Sequence, residues 1–161
     1  MEVRPARLED AEAIRSIYNL EVTTSHATFD LVPRSLAEQR DWLADRAGAH
    51  AVVVAVERHE VVGFGSLSPY RDRPAYRTTV EDSVYVHRAH QGAGVGSVVL
   101  GELLAVASAH GFHAVMARIV GGHEASIALH RRHGFTLVGT EREVGRKFGR
   151  WLDVAVMQRL L

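Results

Sequence analysis

The spacing of apolar and polar positions changes along the chain, and each change marks an element. Glu2 to Arg7 reads as a short strand. Leu8 to about Thr23 reads as a helix, with Ile14, Ile17, Tyr18 and Val22 on one apolar stripe and Glu9 and Asp10 suited to its positive first turn. Ser25 to Asp30 is a loop with Phe29 at its tip. Ser35-Leu36-Ala37-Glu38 is a capping box that opens a second helix to about Ala47, with Trp42 and Leu43 turned to the core. Ala51 to Val56 is a continuous apolar run that pairs as a hairpin with Val61 to Leu67 across the polar turn Glu57 to Glu60. Gly63 and Gly65 inside the second strand predict that another chain or a ligand packs closely there.

Ser68 to Thr78 is a loop, and Thr79 to Val86 is the next strand, carried by Val80, Val84 and Val86 with imperfect alternation. A helix follows from Gly94 to Ser97 onward, with Val95, Val98, Val99, Leu103, Leu104 and Ala107 spaced for one buried face. His113 to Val120 is a strand, and His123 to His133 a helix ended by Gly134 in the C′ position. Thr136 to Arg146 and Asp153 to Gln158 form a closing pair around the turn Lys147 to Arg150. The order β-α-α-β-β-β-α-β-α-β-β predicts an α/β protein (an α+β mixed sheet) with helices on both faces. At 161 residues the chain is expected to form one domain, residues 1–161.

The stretch Gln91-Gly92-Ala93-Gly94-Val95-Gly96 joins a strand to a helix N-terminus. Its glycines let successive backbone N–H groups converge, and the helix end adds orphan donors and a positive dipole. That is an anion site or a plain connector. A Walker A loop is excluded, because Ser97 and Val98 follow Gly96 where Lys-Ser/Thr is needed. A Rossmann fingerprint is excluded by the glycine spacing and by the lack of a βαβ unit in front.

Composition narrows the partners. The formal charge is zero, which argues against nucleic acid or an anionic membrane. With no cysteine there is no disulfide, thiolate metal site or cysteine nucleophile. The histidines show no HxxxH or HExxH spacing, so no metal site is expected. No apolar run follows the first methionine and none approaches a membrane span, which points to a cytoplasmic protein.

Gln91, Gly94 and Gly96 match a Gln/Arg-x-x-Gly-x-Gly/Ala signature behind the acid-bearing strand Val80 to Val86. This resembles the acetyl-CoA loop of the GNAT N-acetyltransferase superfamily. The phosphinothricin and methionine sulfoximine/sulfone acetyltransferase branch is resembled more closely, through Tyr18-Asn19, Ser25 to Phe29, Tyr76 to Glu81, Leu129-His130 and the tail around Lys147, Trp151 and Asp153. The resemblance implies a GNAT fold and transfer of acetyl from acetyl-CoA to the α-amino group of a small amino-acid analogue such as methionine sulfoximine, methionine sulfone or phosphinothricin. It also implies a homodimer, for which the C-terminal strands with Trp151 are a candidate interface; Trp151 in the core is the other reading.

Acetyl transfer needs a neutral amine, a stabilised oxyanion and a leaving thiolate. Glu81 is the candidate base, provided burial raises a pKa that is near 4.3 in solution. By spacing alone it is a solvated strand-end charge; the resemblance favours catalysis. Asp82 next to it should face away from the pocket, since side chains alternate along a strand. The resemblance implies that backbone N–H groups of Val84, Tyr85 and Val86 hold the thioester carbonyl, freed by a β-bulge near Ser83. It makes His130 the acid for the thiolate, in Leu129-His130-Arg131-Arg132-His133-Gly134-Phe135, where the wider superfamily commonly has Tyr.

Gln91, Gly92, Ala93, Gly94, Val95, Gly96 and Ser97 would hold the pyrophosphate. His123, where many relatives have Asn, and Ser126 would contact the pantetheine arm. Phe29, Tyr76, Arg77, Thr79 and Glu81 would line the acceptor pocket, with Arg77 on its carboxylate; Phe29 reads from residues alone as a core plug, and Arg71 and Arg73 as solvated. The alternatives are acetylation of a protein N-terminus or lysine, and a non-catalytic CoA-binding module.

Overall fold

Two apolar cores lie on opposite faces of one sheet, and the alternation of side chains in its strands decides which residues enter each. The computed structural model describes all residues, Met1–Leu161. The strands are β1 (Glu2–Pro5), β2 (Val52–Glu57), β3 (Glu60–Pro69), β4 (Thr79–Val86), β5 (Ala114–Val120), β6 (Thr136–Lys147) and β7 (Arg150–Leu160), in the spatial order β1-β2-β3-β4-β5-β7-β6. Only β4 and β5 run parallel. The helices are α1 (Ala11–Thr24), α2 (Leu36–Ala44), α3 (Val95–Ala109) and α4 (Glu124–Arg132).

On one face α1 and α2 bury Ile14, Tyr18, Val22 and Leu43 against Val52, Val54 and Phe64. On the other, α3 buries Val95, Val99, Leu100, Leu103 and Leu104 against Val53, Ala55, Leu67, Val80, Val115 and Ala117, and Ile127 and Leu129 of α4 pack on that cluster. Each fully buried Leu or Val contributes about 1.5–3 kcal/mol relative to exposure. Val98, expected on the buried face of α3, is 41% exposed, and Leu100 takes the core position instead.

Local chemistry sets the element ends. Ser35 Oγ accepts the Glu38 N–H at 3.1 Å while the Glu38 carboxylate accepts the Ser35 N–H at 2.7 Å, so the capping box starts α2 where expected. The helix stops at Ala44, short of Ala47. The first helix begins later than its apolar stripe suggests, because Leu8–Asp10 form a 3-10 turn. There Asp10 accepts the Arg7 N–H at 2.7 Å and binds Arg4 of β1 through both oxygens at 2.8 and 2.9 Å. Gly134 follows α4 at φ 81°, the left-handed stop expected of a glycine there. The closing strands are longer than their apolar pattern, running to Lys147 and from Arg150 around a turn with Phe148 and Gly149 at positive φ.

The glycines of β3 are explained by the chain's own helix. A Cβ at Gly63 would stand 2.7 Å from Val95 Cγ1, and one at Gly65 would stand 2.6 Å from Val99 Cγ1 and 2.8 Å from Leu103 Cδ1. The expected close neighbour is therefore α3, seated directly on bare backbone. Gly65→Ala must displace the helix, and we expect a loss of about 1–3 kcal/mol, the usual cost of overpacking. Urea denaturation measures it; an unchanged midpoint would show that α3 yields freely.

Candidate active site

β4 and β5 pair only at Thr79–Ala114, Val80–Val115 and Glu81–Met116. Beyond Glu81 the strands part, each still bonded to its outer neighbour: β4 to β3 as far as Val86–Gly63, and β5 to β7 as far as Val120–Val154. A cavity of about 110 Å³ fills the parting, lined by Asp82 to Tyr85, Ala117 to Val120, Ala27, His123, Ser126 and His130.

The expected β-bulge near Ser83 is absent, because the β3–β4 register runs unbroken from Gly63–Val86 to Pro69–Val80. Backbone donors arise from the parting itself. The His87 N–H bonds the Val62 carbonyl of β3 at 2.9 Å, so alternation turns the N–H groups of Val84 and Val86 the other way, toward the cavity. Tyr85 points its ring into the first core, stacked on Phe64 at 5.3 Å and edge-on to Tyr18 at 5.2 Å. The same alternation turns its backbone N–H back to Phe64 of β3, so of Val84, Tyr85 and Val86 only the two valines offer a donor to the cavity.

At the far end of β4 the glycine turn feeds α3. Gly92 and Gly94 have φ of 78° and 85°, and Gly94 is the N-cap. Their N–H groups take no backbone partner, and helix geometry leaves those of Val95 and Gly96 free as well. Gln91 to Gly94 are exposed. Open donors at a positive helix end suit a pyrophosphate, and the free β4 edge beside them suits the amide-bearing arm of CoA, so these residues fit acetyl-CoA. Ser97 is engaged elsewhere, its Oγ 2.9 Å from His133 Nε2.

Glu81 shares its face of β4 with Tyr85, and Asp82 shares the opposite face with Val80 and Val84. Glu81 is half-buried; burial pushes its pKa up, the Arg118 charge pulls it back and Asp82 adds to the rise. Arg118, on the same side of β5, pairs with Glu141 of β6. Asp82 is fully enclosed yet lines the cavity, and it meets His130 Nε2 at 3.0 Å. Sequence reasoning had turned Asp82 away from the site; alternation was right, but the parting opens to both faces. His123 is exposed at the N-cap of α4, and the Ser126 carbonyl lies 2.7 Å from His130 Nδ1.

On the acceptor side, Phe29 is 37% exposed and its ring lies over Gly145 of β6, where a Cβ would overlap it. Tyr76 and Arg77 are exposed on the 3-10 turn Pro74–Thr78, outside the cavity lining, and Thr79 begins β4. Three residues carry more than the sequence pattern indicated. Lys147 is buried and donates to the Thr28 carbonyl at 2.8 Å, anchoring the loop that bears Phe29. Arg88 binds Glu21 at 3.0 Å and Thr24 at 2.6 Å, tying the approach to the glycine turn to the end of α1. Arg118 has only its strand position to announce it. No group of three His, Cys, Asp or Glu side chains stands close enough to hold a metal ion.

A mixed sheet parted between two parallel strands, with a glycine turn and helix end at the mouth of the parting, defines an acyl-CoA N-acyltransferase. Residues 12–135 match the Acetyltransferase (GNAT) family, and the chain belongs to it. It is 42% identical to the phosphinothricin N-acetyltransferase of Streptomyces coelicolor, over 100% of this chain and 96% of that protein. It is 40% identical to the L-methionine sulfoximine/L-methionine sulfone acetyltransferase of Pseudomonas aeruginosa, over 97% and 92%. Among solved structures it superposes on a phosphinothricin acetyltransferase from Sinorhizobium meliloti in complex with acetyl-CoA, at a TM-score of 0.96 and 41% identity over 99% and 88% of the two chains. It also superposes on a ribosomal-protein-alanine N-acetyltransferase from Brucella melitensis, at 0.97 and 38% over 100% of both. The protein is an acetyl-CoA-dependent N-acetyltransferase.

A Cβ at Gly94 meets nothing within 4 Å, so Gly94→Ala strains only the backbone. A left-handed non-glycine residue costs about 1–2 kcal/mol; the free turn escapes that cost by relaxing, and acetyl-CoA must restore it, which predicts a KM for acetyl-CoA raised about tenfold with the acceptor KM unchanged. Steady-state kinetics against both substrates checks this; an unchanged acetyl-CoA KM would remove the turn from cofactor binding.

Proposed function

We propose that the enzyme acetylates the α-amino group of a small amino-acid analogue, with methionine sulfoximine, methionine sulfone and phosphinothricin as acceptors, by direct attack on the thioester. The observation that carries the mechanism is Glu81: a half-buried carboxylate with a raised pKa, at the last paired residue before the strands part. Glu81 takes the ammonium proton, directly or through water. The N–H groups of Val84 and Val86 hold the thioester carbonyl and the oxyanion, and His130 protonates the departing sulfur. Phe29, Tyr76, Arg77 and Thr79 contact the acceptor, Arg77 through its planar fork. His123 and Ser126 contact the pantetheine arm. The substrate assignment is supported by the names of the Streptomyces and Pseudomonas relatives.

The Brucella likeness favours a second reading, acetylation of a protein N-terminus. Release of free CoA with the three analogues, ordinary amino acids, polyamines and an alanine-led peptide separates the two. Turnover confined to the analogues supports the first reading; turnover on the peptide alone replaces it with the second. Because ionised Glu81 is the base and its pKa is raised, kcat should fall on acidification at a pH above the ordinary glutamate value of about 4.3. Glu81→Gln should lower kcat about 10²–10⁴-fold with little change in stability. An unchanged kcat would remove Glu81 from the mechanism.

The reading extends to a cytoplasmic homodimer of one-domain chains. Its support is the edge strand β6 with its partner β7, where Leu137, Val138, Val144, Phe148 and Trp151 are 51–59% exposed. No helix is long and apolar enough to cross a membrane. Light scattering on Trp151→Glu should give the mass of a monomer against a dimeric wild type. A monomeric wild type would refute the dimer.

A further inference from the structure

His130 is 3% exposed and Asp82 5%. His130 Nδ1 lies 2.7 Å from the Ser126 backbone carbonyl, and that oxygen only accepts, so Nδ1 carries a hydrogen. His130 Nε2 lies 3.0 Å from Asp82 Oδ1, a separation that requires a proton between them. The pair therefore holds one shared proton and is neutral overall, as imidazolium with carboxylate or as imidazole with carboxylic acid. Phe135 packs edge-on against the ring at 4.9 Å. Asp82 Oδ2 is buried with no hydrogen-bond partner, and Asp82, Ser126 and His130 all line the cavity.

We propose that Asp82 is a positioning residue for acetyl transfer: it holds the His130 ring at the cavity and keeps there the shared proton that the departing sulfur takes. The inference rests on the proposed N-acetyltransferase mechanism. When the tetrahedral intermediate collapses, the C–S bond breaks and its electron pair goes to sulfur, which takes the shared proton. The proton shed by the newly bonded nitrogen restores the pair. The ammonium proton leaves through Glu81 to solvent, so one proton is released per turnover.

The surrounding charges are compatible with this. Burial works against the imidazolium, but the Asp82 bond and charge and the Ser126 carbonyl outweigh it, so His130 keeps its proton above the ordinary histidine range. Burial raises Asp82 too, opposed by the His130 bond and charge and by His133. Both directions retain the shared proton. Behind the pair, burial pushes the His133 pKa below its ordinary value, with the Arg159, His130 and Arg132 charges adding to the effect and Asp82 opposing it. Across the cavity stand Arg118 and His123, and Glu81 lies on the other face of β4.

The test combines nitrogen-15 shifts of the His130 ring with kcat and KM over a pH series, in the wild type, Asp82→Asn and His130→Gln. Asparagine keeps the shape and a hydrogen bond but removes the charge. Wild-type His130 should stay protonated on both nitrogens through neutral pH, whereas in Asp82→Asn Nε2 should be bare. The variant's kcat should fall about 10²–10³-fold at neutral pH and recover as pH drops through the histidine range near 6.5, with the acetyl-CoA KM nearly unchanged. His130→Gln should lose kcat without that recovery. A wild-type pH profile in Asp82→Asn, or a loss independent of pH, would reduce the pair to a structural link between β4 and α4. Should the variant fail to fold, the wild-type titration decides: loss of the second ring proton within the ordinary histidine range overturns the proposal. Inactivity of the wild type on every acceptor would instead refute the function proposed above, while ring shifts unmoved by Asp82→Asn would refute the pairing alone.

Discussion

The parallel pairing of β4 with β5 lasts three residue pairs and then stops, and the site depends on that stop. A parallel pair requires a crossover, and α3 supplies it. Each strand remains bonded along its other edge, so the sheet opens as two intact halves. Unpaired backbone inside a protein is costly. Here the cost is confined to one cleft, which is open to the amides and carbonyl of a ligand. Gly63 and Gly65 belong to the same arrangement, because they let α3 settle on β3 with its N-terminus at the mouth of the cleft.

The adjacent acids show how one strand gives two environments. Glu81 stands on the face where the Arg118 charge pulls against the rise in pKa that burial causes. Asp82, one residue on, is enclosed with His130 and shares a proton with it. A base needs access to solvent and a pKa near the working range; a proton held for a leaving group needs enclosure and a partner. The pleat of β4 separates the two groups although they are neighbours in the chain.

The loop from Ser25 to Asp30 is held from three directions. Tyr18 bonds Thr28 at 3.1 Å and also reaches Asp30, Lys147 bonds the Thr28 carbonyl, and Glu21 links Ser25 to Arg88. A buried ammonium held by carbonyls is unusual, and desolvation lowers the pKa of Lys147 against the pull of Asp30 and Glu21. The same ties connect the wall beneath Phe29 to the segment that precedes the glycine turn.

Much of this was legible from the chain alone, because it depended on local rules. Element order followed from periodicity, the start of α2 from its capping box, the stop of α4 from Gly134, and the left-handed turn into α3 from its glycines. These signals sit within a few residues of what they specify. What required tertiary structure was every feature made by residues far apart in sequence. The close neighbour of Gly63 and Gly65 proved to be a helix some thirty residues downstream. The backbone donors came from strand divergence, since the expected bulge does not exist. Asp82 was placed on the correct face by alternation, yet it lines the cavity it was expected to turn away from, because only packing brings α4 and His130 against it. Periodicity assigns a side chain to a face; what it meets there depends on how distant elements dock, and a single sequence carries no local signal for that.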